Sequence, residues 1–442
     1  MTEPAPIPEA GVVVVVPQRW SGYAGELYSS RLPPPALGTV KFAELEEKAR
    51  QVLKDDVAAF QYVSSGAGTY QTLNDNIRAF ERWKIVPQML IDTAMRDLET
   101  TIFGVKLPCP LFISPMGAQG LVHPEGELAT ARAAGKLHVP MVLSTPSTRS
   151  LESVAQANGP NSVRWFQLYW PRSDEITLSL LARAKANGFS ALVVTLDTNI
   201  NGWRTHDLSR AYAPAIHGVG AQNLMSDPVF MARHGLEPIH YQPAFPYNAA
   251  AIDQGVREGD ELAKRDMKLG VAYVQEVHSG ECRTWEDLRF IRDNWKGPLV
   301  LKGIQTVRDA EKAIEVGANG IVVSNHGGRQ IDGALPSIYA LETICKAPSI
   351  REAQRSGKLT VLFDSGIRNG THVFKALALG AQAVLLARPI LFGLAVGGQA
   401  GVEEVLRSVL AELEISMGLA GYSKVSEFQG AGEEVVTKVD YL

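Results

Sequence analysis

Three cysteines in 442 residues, Cys109, Cys282 and Cys345, are odd in number and far apart. They exclude a disulfide framework and a spaced zinc site, so no metal is expected and a reducing compartment is the natural reading. No charge of one sign dominates: 43 Lys and Arg stand against 47 Asp and Glu, a net charge of −4. That balance argues against nucleic acid as the main partner, because neutralising phosphates needs a basic excess or a dense basic face. No segment approaches the roughly 18 apolar residues that span a bilayer. The five-valine run Val12–Val16 is short, and acidic Glu3 and Glu9 precede it, unlike the basic start and longer apolar stretch of a signal peptide. The closing Val-Asp-Tyr-Leu is not the usual peroxisomal address. A cytoplasmic protein without a membrane span is the expectation. Apolar residues at 45% and charged residues at 20% are ordinary for a globular chain and exclude a disordered, collagenous or coiled-coil one.

What the chain does contain is a rhythm. Residues 1–40, rich in Pro, Gly and Ser, read as an irregular arm, and 41–65 as helical from Phe42, Leu45, Ala49, Val52 and Leu53. From about residue 105, short apolar runs alternate with helical patterns. The runs are Leu111–Ser114, Met141–Ser144, Trp165–Leu168, Ala191–Leu196, Leu299–Leu301, Ile321–Ser324, Val361–Phe363 and Ala383–Leu386. Helical patterns cover 125–136, 149–157, 174–187, 307–316, 337–346, 370–379 and 401–416. Continuous apolar strands between amphipathic helices imply a covered parallel sheet. Eight such units suggest a closed (β/α)8 TIM barrel with an N-terminal helical extension, the open doubly wound sheet being the alternative. One domain over 41–430 and a tail over 431–442 follow. About one hundred residues, 198–297, interrupt the rhythm after the fourth strand. An insert of that length reads as a lid over the C-terminal face, or else as surface decoration or an oligomer contact.

Polar residues gather at the strand ends: Gln167 and Tyr169, Thr195 and Asp197, Lys302, Ser324 with His326 and Arg329, Asp364 with Arg368, and Arg388. Each has a plain alternative. Gln167 and Thr195 could satisfy loop backbone, Asp197 could cap a helix, Lys302 could be exposed with its stem packed, Gly366 could serve a turn, and Arg388 could be solvated. In a barrel, however, all would converge on one mouth, and so many charges around an apolar pit are costly unless they bind something. Asp364-Ser365-Gly366-Ile367-Arg368 and Arg388 follow the last two strands, where barrels often hold phosphate. Gly218-Val219-Gly220 lacks a third glycine and a preceding strand, so it is no dinucleotide fingerprint. His326 beside Arg329 should rest neutral and accept a proton, with Asp197 stabilising the imidazolium that forms. Arg329 and Arg204 could clamp a carboxylate.

Ser324-Asn325-His326-Gly327-Gly328-Arg329-Gln330 resembles the signature of the FMN-dependent 2-hydroxy-acid oxidases and dehydrogenases. Tyr62 before Ser65-Gly66-Ala67, His123-Pro124-Glu125-Gly126, Phe166-Gln167-Leu168-Tyr169, Thr195-Leu196-Asp197-Thr198, Lys302-Gly303-Ile304-Gln305, Asp364 to Arg368 and Ala387-Arg388-Pro389 match in the family's order. The similarity covers about 40–430. Gly202-Trp203-Arg204, Asp207-Leu208 and Asp227-Pro228-Val229-Phe230 make the pattern closest to lactate 2-monooxygenase.

The resemblance implies bound FMN and oxidation of an (S)-2-hydroxy acid with O2, in a homotetramer or larger assembly. It implies His326 as base supported by Asp197, and Arg204, Arg329, Tyr62 and Tyr169 on the substrate. Lys302 would sit by the flavin N1–C2 edge, and the backbone of Pro115, Met116 and Gly117 by N5. Ser144, Gln167, Thr195 and Ser324 would contact flavin or ribityl atoms. Asp364, Ser365, Gly366, Ile367, Arg368, Ala387 and Arg388 would hold the ribityl chain and phosphate. Three positions depart from the family pattern. Pro146 replaces a pocket-lining tryptophan, which would admit a larger side chain. Met116 and Gly117 replace Thr and Ala. Ala387 replaces a glycine, and its β-carbon would crowd the turn if φ is positive. A non-redox FMN isomerase or a flavin binder without turnover are the rival readings.

Overall fold

The computed structural model describes residues 19–440, so the valine run and the last two residues lie outside the described chain. Eight parallel strands close a barrel: β1 (Leu111–Ile113), β2 (Met141–Leu143), β3 (Arg164–Leu168), β4 (Ala191–Thr195), β5 (Leu299–Ile304), β6 (Gly320–Val323), β7 (Thr360–Phe363) and β8 (Ala383–Leu386). β8 pairs with β1 through Val384–Leu111, which completes the ring. The open-sheet alternative is thereby excluded. Strands buried on both faces have no use for polar alternation, which is why Ala191–Thr195 is buried throughout.

The interior is a packed plug. Phe112, Val142, Trp165, Val193, Val300, Val322, Leu362 and Leu385 point inward and form one cluster with Ile102 and Leu107. The last two belong to an antiparallel hairpin, Thr100–Ile102 with Val105–Leu107, whose Phe103 lies 5.5 Å from the Trp165 ring. The hairpin stoppers the N-terminal end. The opposite end stays open for chemistry.

Helices at 127–137, 151–158, 174–186, 307–315, 337–346 and 370–378 wrap the outside, within two residues of the expected bounds. Several elements differ from the sequence reading. The pattern over 41–65 is two helices, Phe42–Val52 and Val57–Ser64, because the Asp56 side chain accepts from the Ala59 N–H and starts a new helix. The segment 348–355 is a further helix, begun by Pro348 at its first position. The last long helix runs from Arg388 to Leu419 and bends at Gly397–Gly398, so 401–416 is only its second half, and one turn, Val425–Phe428, follows it.

The arm is not irregular beyond residue 19. It contains a helix, Gly22–Ser30. Two buried carboxylates strap the arm to the last helix: Glu414 accepts from the Ser21 N–H and hydroxyl, both at 2.8 Å, and Glu404 from the N–H groups of Ala36 and Leu37, both at 2.9 Å. The tail is likewise ordered over Val436–Lys438, a strand antiparallel to Trp83–Ile85.

The insert between β4 and β5 folds over the C-terminal mouth. Its longest helices, Ala249–Glu258 and Glu261–Val277, meet at Gly259 (φ +94°) and Asp260, whose carboxylate accepts from the N–H groups of Leu262 and Ala263. A glycine stop followed by an aspartate start is how the charged stretch 257–268 becomes a helical corner. Asp227 pins the insert to the barrel. Fully buried, it accepts from Val229 N–H, Phe230 N–H, the Ser179 hydroxyl and the Arg183 guanidinium at 2.7–3.1 Å. Asp227→Ala strips a buried cation of one partner, and its expected cost is about 3–5 kcal/mol of unfolding free energy. Denaturant melts of the two proteins check this, and a loss under about 1 kcal/mol would show the anchor to be dispensable.

Candidate active site

A cavity of about 620 Å³ opens at the C-terminal ends of the strands and extends beneath the insert. Among the sequence-derived site residues, Tyr62, Pro115, Met116, Gly117, Ser144, Tyr169, Arg204, Lys302, His326, Arg329, Asp364, Ser365, Gly366, Ile367, Arg368, Ala387 and Arg388 line it. Asp197, Gln167, Thr195 and Ser324 stand one layer behind. Gln167 accepts from the Ser144 hydroxyl at 2.6 Å and donates to Thr195 at 2.8 Å. Ser324 accepts from Lys302 Nζ at 3.0 Å. These inner residues aim the outer ones through hydrogen bonds between the ends of neighbouring strands.

His326 follows β6 on a left-handed turn, with φ +58° at His326, +65° at Gly327 and +75° at Gly328. A non-glycine residue there stores strain, which its surroundings must hold. Asn325 and Asn76, both buried, exchange amide bonds at 2.8 Å in each direction, and Asn325 also accepts from the Gly328 N–H at 3.1 Å. A methyl at Gly328 would lie 2.5 Å from the Leu73 nitrogen, so only glycine fits. Asn76, on the helix Gln71–Arg78, is a supporting residue that the sequence reading missed. Its signal was weak, since an Asn on a polar helix has no spacing that marks it.

The His326 Nδ1 lies 2.9 Å from Asp197 Oδ1 and 3.1 Å from the Thr198 hydroxyl, which itself donates to Asp197 at 2.9 Å. A carboxylate only accepts, so Nδ1 carries the proton and Nε2 is the free base. Nε2 lies 3.4 Å from the Tyr169 hydroxyl, on the cavity side. Burial pushes the His326 pKa down, Asp197 pulls it up, and Lys302 and Arg204 push it down again, leaving it below the usual imidazole value. The expected neutral histidine is present, but Arg329 is not its cause: burial is, with Lys302 next among the repelling cations. For Asp197 burial raises the carboxyl pKa, yet His326 and Lys302 outweigh it and hold the group well below the carboxylate range. Asp197 is therefore no helix cap. Lys302 is 3% exposed and 3.4 Å from Asp364. Burial disfavours its charge, but Asp364 and Asp197 keep its pKa above the ordinary lysine value.

Two guanidiniums share the chamber. Arg329 donates to the carbonyls of Tyr62 at 2.5 Å and Ser65 at 3.3 Å and sits over the Tyr62 ring at 5.2 Å. Arg204 donates to the Arg329 carbonyl at 3.3 Å and to Gln330 Oε1 at 3.0 Å. Burial and then the neighbouring Arg204 charge push Arg329 down to about 10. An entering carboxylate would relieve both effects, since paired guanidinium and carboxylate groups offset the burial of each.

At the far end, Arg388 is buried and, among the described residues, donates only to carbonyls, those of Val63, Gly327 and Ser65 at 2.9–3.3 Å. Arg368 donates to the Ile367 carbonyl and lies 4.7 Å from the Phe42 ring centre, its Nε has no hydrogen-bond partner among the described residues, and burial lowers it to about 10. Gly366 (φ +88°) brings backbone close to Asn76, where a methyl would meet the carbonyl oxygen at 2.3 Å. Two largely buried cations with no carboxylate at salt-bridge distance among the described residues, beside a glycine turn and the start of the helix that follows β8, fit a phosphate. The buried cation Lys302 and the apolar floor of Met116 and Leu385 suit a flat anionic ring between. The residues thus fit FMN. Ala387 has φ −116°, so its β-carbon brings no left-handed strain.

The insert contributes residues that the sequence reading did not single out: Tyr212, Tyr273 and His278, together with the wall segment 213–216 and Val219. His278 follows the helix Glu261–Val277 and meets the Tyr169 ring edge-on at 5.4 Å. Burial, then Arg204, hold it down to about 4, so it is a neutral wall. Only the length of the insert signalled these residues.

Arg368→Met is expected to leave the unfolding temperature without added FMN unchanged or higher, because it removes a desolvated cation that one carbonyl and the Phe42 ring hold but no salt bridge pairs. The same variant should lose the FMN-induced rise in that temperature. Thermal scans with and without FMN check both, and a lower midpoint without FMN would show that Arg368 serves the fold instead.

Three comparisons agree with this geometry. A family model described as FMN-dependent dehydrogenase matches residues 49–434. An FMN-dependent alpha-hydroxy acid dehydrogenase of Penicillium citrinum is 43% identical over 383 residues, covering 87% of each chain. An L-lactate oxidase of Lysinibacillus sphaericus is 39% identical over 401 residues, 91% of this chain and 94% of that protein. A crystal structure of mandelate oxidase superposes with a TM-score of 0.71 at 35% identity, covering 91% of this chain and 98% of that one.

Proposed function

The chain belongs to the FMN-dependent dehydrogenase family, and from that premise we propose that it oxidises an (S)-2-hydroxy acid, lactate or a homologue with a larger side chain, to the 2-oxo acid with O2 as electron acceptor. The observation that carries this reading is one imidazole, its Nδ1 held 2.9 Å from Asp197, sharing a cavity with Arg204, Arg329, Tyr62 and Tyr169. FMN, when bound, supplies a two-electron acceptor that O2 can reoxidise to give H2O2.

The chain's own residues do the rest. Arg204 and Arg329 take the substrate carboxylate, and the hydroxyls of Tyr62 and Tyr169 orient it. His326 Nε2 accepts the proton released as the substrate loses two electrons. Asp197 stabilises the resulting imidazolium, which would otherwise be repelled by Lys302. The insert excludes water. A non-redox isomerase of a phosphorylated substrate is the weaker reading, since two guanidiniums and two phenols around one small chamber suit a single carboxylate. The wall of Ala118, Pro146, Pro214, Ile216 and Val219 supports a side chain larger than methyl.

After reoxidation two balanced outcomes compete. If the chamber stays closed, the 2-oxo acid and H2O2 give CO2, water and a carboxylic acid one carbon shorter, as in lactate 2-monooxygenase. Early opening releases the 2-oxo acid and H2O2. The free thiols Cys109, Cys282 and Cys345 support a cytoplasmic setting. The exposed Met89, Leu90, Ile91, Met95 and Leu419 support a homotetramer or larger assembly.

Anaerobic mixing with a panel of 2-hydroxy acids should bleach the yellow holoenzyme, and a protein that takes up FMN yet is reduced by none of them would refute the activity. His326→Gln should stay yellow and reduce more slowly by about 10²–10⁴-fold. The neutral imidazole is the working form. Reduction should therefore fall as pH drops through a value below the ordinary 6.5 and stay flat above it. Asp197 raises the His326 pKa, so Asp197→Asn should slow reduction and move the acid limb lower; an unmoved limb would mean that another group titrates. Pro146→Trp should cost activity on bulky substrates while sparing lactate, and equal losses on both would remove Pro146 from the wall.

A further inference from the structure

A second histidine and aspartate are built into the insert, away from the reacting atoms. His217 is 7% exposed and ends the short turn Pro214–His217. Its neighbours Pro214, Ala215, Ile216 and Val219 line the cavity. Both ring nitrogens are engaged by a distant stretch of the insert: Nδ1 lies 2.6 Å from the Tyr247 hydroxyl and Nε2 3.1 Å from Asp253 Oδ1. Tyr247 is equally buried, and Asp253 lies on the helix Ala249–Glu258.

The other side of the turn is held by backbone. Gly270, in the helix Glu261–Val277, approaches so closely that a methyl there would lie 2.4 Å from the Ala215 carbonyl oxygen and 2.5 Å from the Gly218 nitrogen. The turn is therefore gripped between two helices, and His217 is the side chain that ties it to the first of them. A path of rings leads onward to the substrate anchor. Tyr247 meets Tyr212 at 5.5 Å, Tyr212 meets Tyr62 at 5.8 Å, and the Arg329 guanidinium lies over Tyr62 at 5.2 Å.

We propose that His217 is a positioning residue: bridging Tyr247 and Asp253, it fixes the cavity wall 214–219 and thereby sets how firmly the insert closes over the substrate. A short turn has few backbone bonds of its own, so side-chain ties decide whether it opens locally or only with the whole domain. His217 touches no reacting group. Its loss should change retention of small molecules in the chamber and leave the proton transfer at His326 intact.

The activity consequence rests on the oxidase reading above, whereas the structural consequence does not. In the holoenzyme, His217→Phe and Tyr247→Phe should each speed amide hydrogen exchange over 214–219 at least tenfold, with exchange over 174–186 unchanged. His217→Gln, which can still donate to Asp253, should fall between them and the parent. With a reducing 2-hydroxy acid, KM should rise at least fivefold in the Phe variants, while the flavin reduction rate at saturation stays within twofold. Where the parent consumes H2O2 in decarboxylation, the yield of free H2O2 per substrate oxidised should rise toward one. Tyr247→Phe removes a single hydroxyl, so it decides the matter even if His217→Phe does not fold. Unchanged exchange over 214–219 in folded Tyr247→Phe would overturn the assignment, as would a fall in the saturated reduction rate without a change in KM. If no 2-hydroxy acid reduces the parent, the proposed activity fails, and the exchange measurement alone still decides the role of His217.

Discussion

Lys302, Arg204, Arg329, Arg368 and Arg388 converge on one barrel mouth, where the neighbouring carboxylates among the described residues are Asp197, Asp207 and Asp364, with Glu46 acting on Arg368 and Arg388. Burying charge without partners costs several kcal/mol per ion, so this excess of cations is tolerable only in a site that receives anions. The structure divides the excess in two. Arg368 and Arg388 wait at the end that suits a phosphate, and Arg204 and Arg329 at the end that suits a carboxylate. Lys302 lies between them, kept charged by Asp364 and Asp197. The same field acts on His326, whose neutral state comes from burial and from Lys302. One electrostatic arrangement thus suits an anionic cofactor at one end, a carboxylate at the other and a neutral His326 between them.

The barrel makes that arrangement affordable by being rigid everywhere else. The Phe103 hairpin closes the bottom, Trp165 and Phe112 fill the centre 4.5 Å apart, and the arm is strapped to the last helix by Glu404 and Glu414. Left-handed backbone at the top includes the turn at His326 and the Ser365-Gly366 turn. Each is held by a side chain from the N-terminal extension or by close backbone. Asn76 serves both, since its side chain pairs with Asn325 and its carbonyl crowds Gly366.

The insert adds a second layer above the barrel mouth. Its anchoring end is tied to the barrel by Asp227 and Arg183, and its working end lines the chamber through the 214–219 turn, Tyr212, Tyr273 and His278. An insert firmly fixed at one side and held over the cavity by a few side-chain bonds can gate a chamber without disturbing its chemistry.

Much of this was legible in the chain alone. Strand runs such as Ala191–Leu196 and the polar residues that end them predict a barrel and its mouth, because apolar continuity and strand-end polarity are local properties of the chain. The motif around His326 carries the proposed base and one proposed anchor for the same reason. What the chain could not disclose is pairing across distance: Asn76 with Asn325, Glu414 with Ser21, His217 with Tyr247 and Asp253. Nor does a glycine-to-alanine change such as Ala387 reveal its own φ. Those facts depend on which distant segments the closed barrel brings within hydrogen-bond reach. A contact set by tertiary packing leaves no periodic trace in the residues that make it.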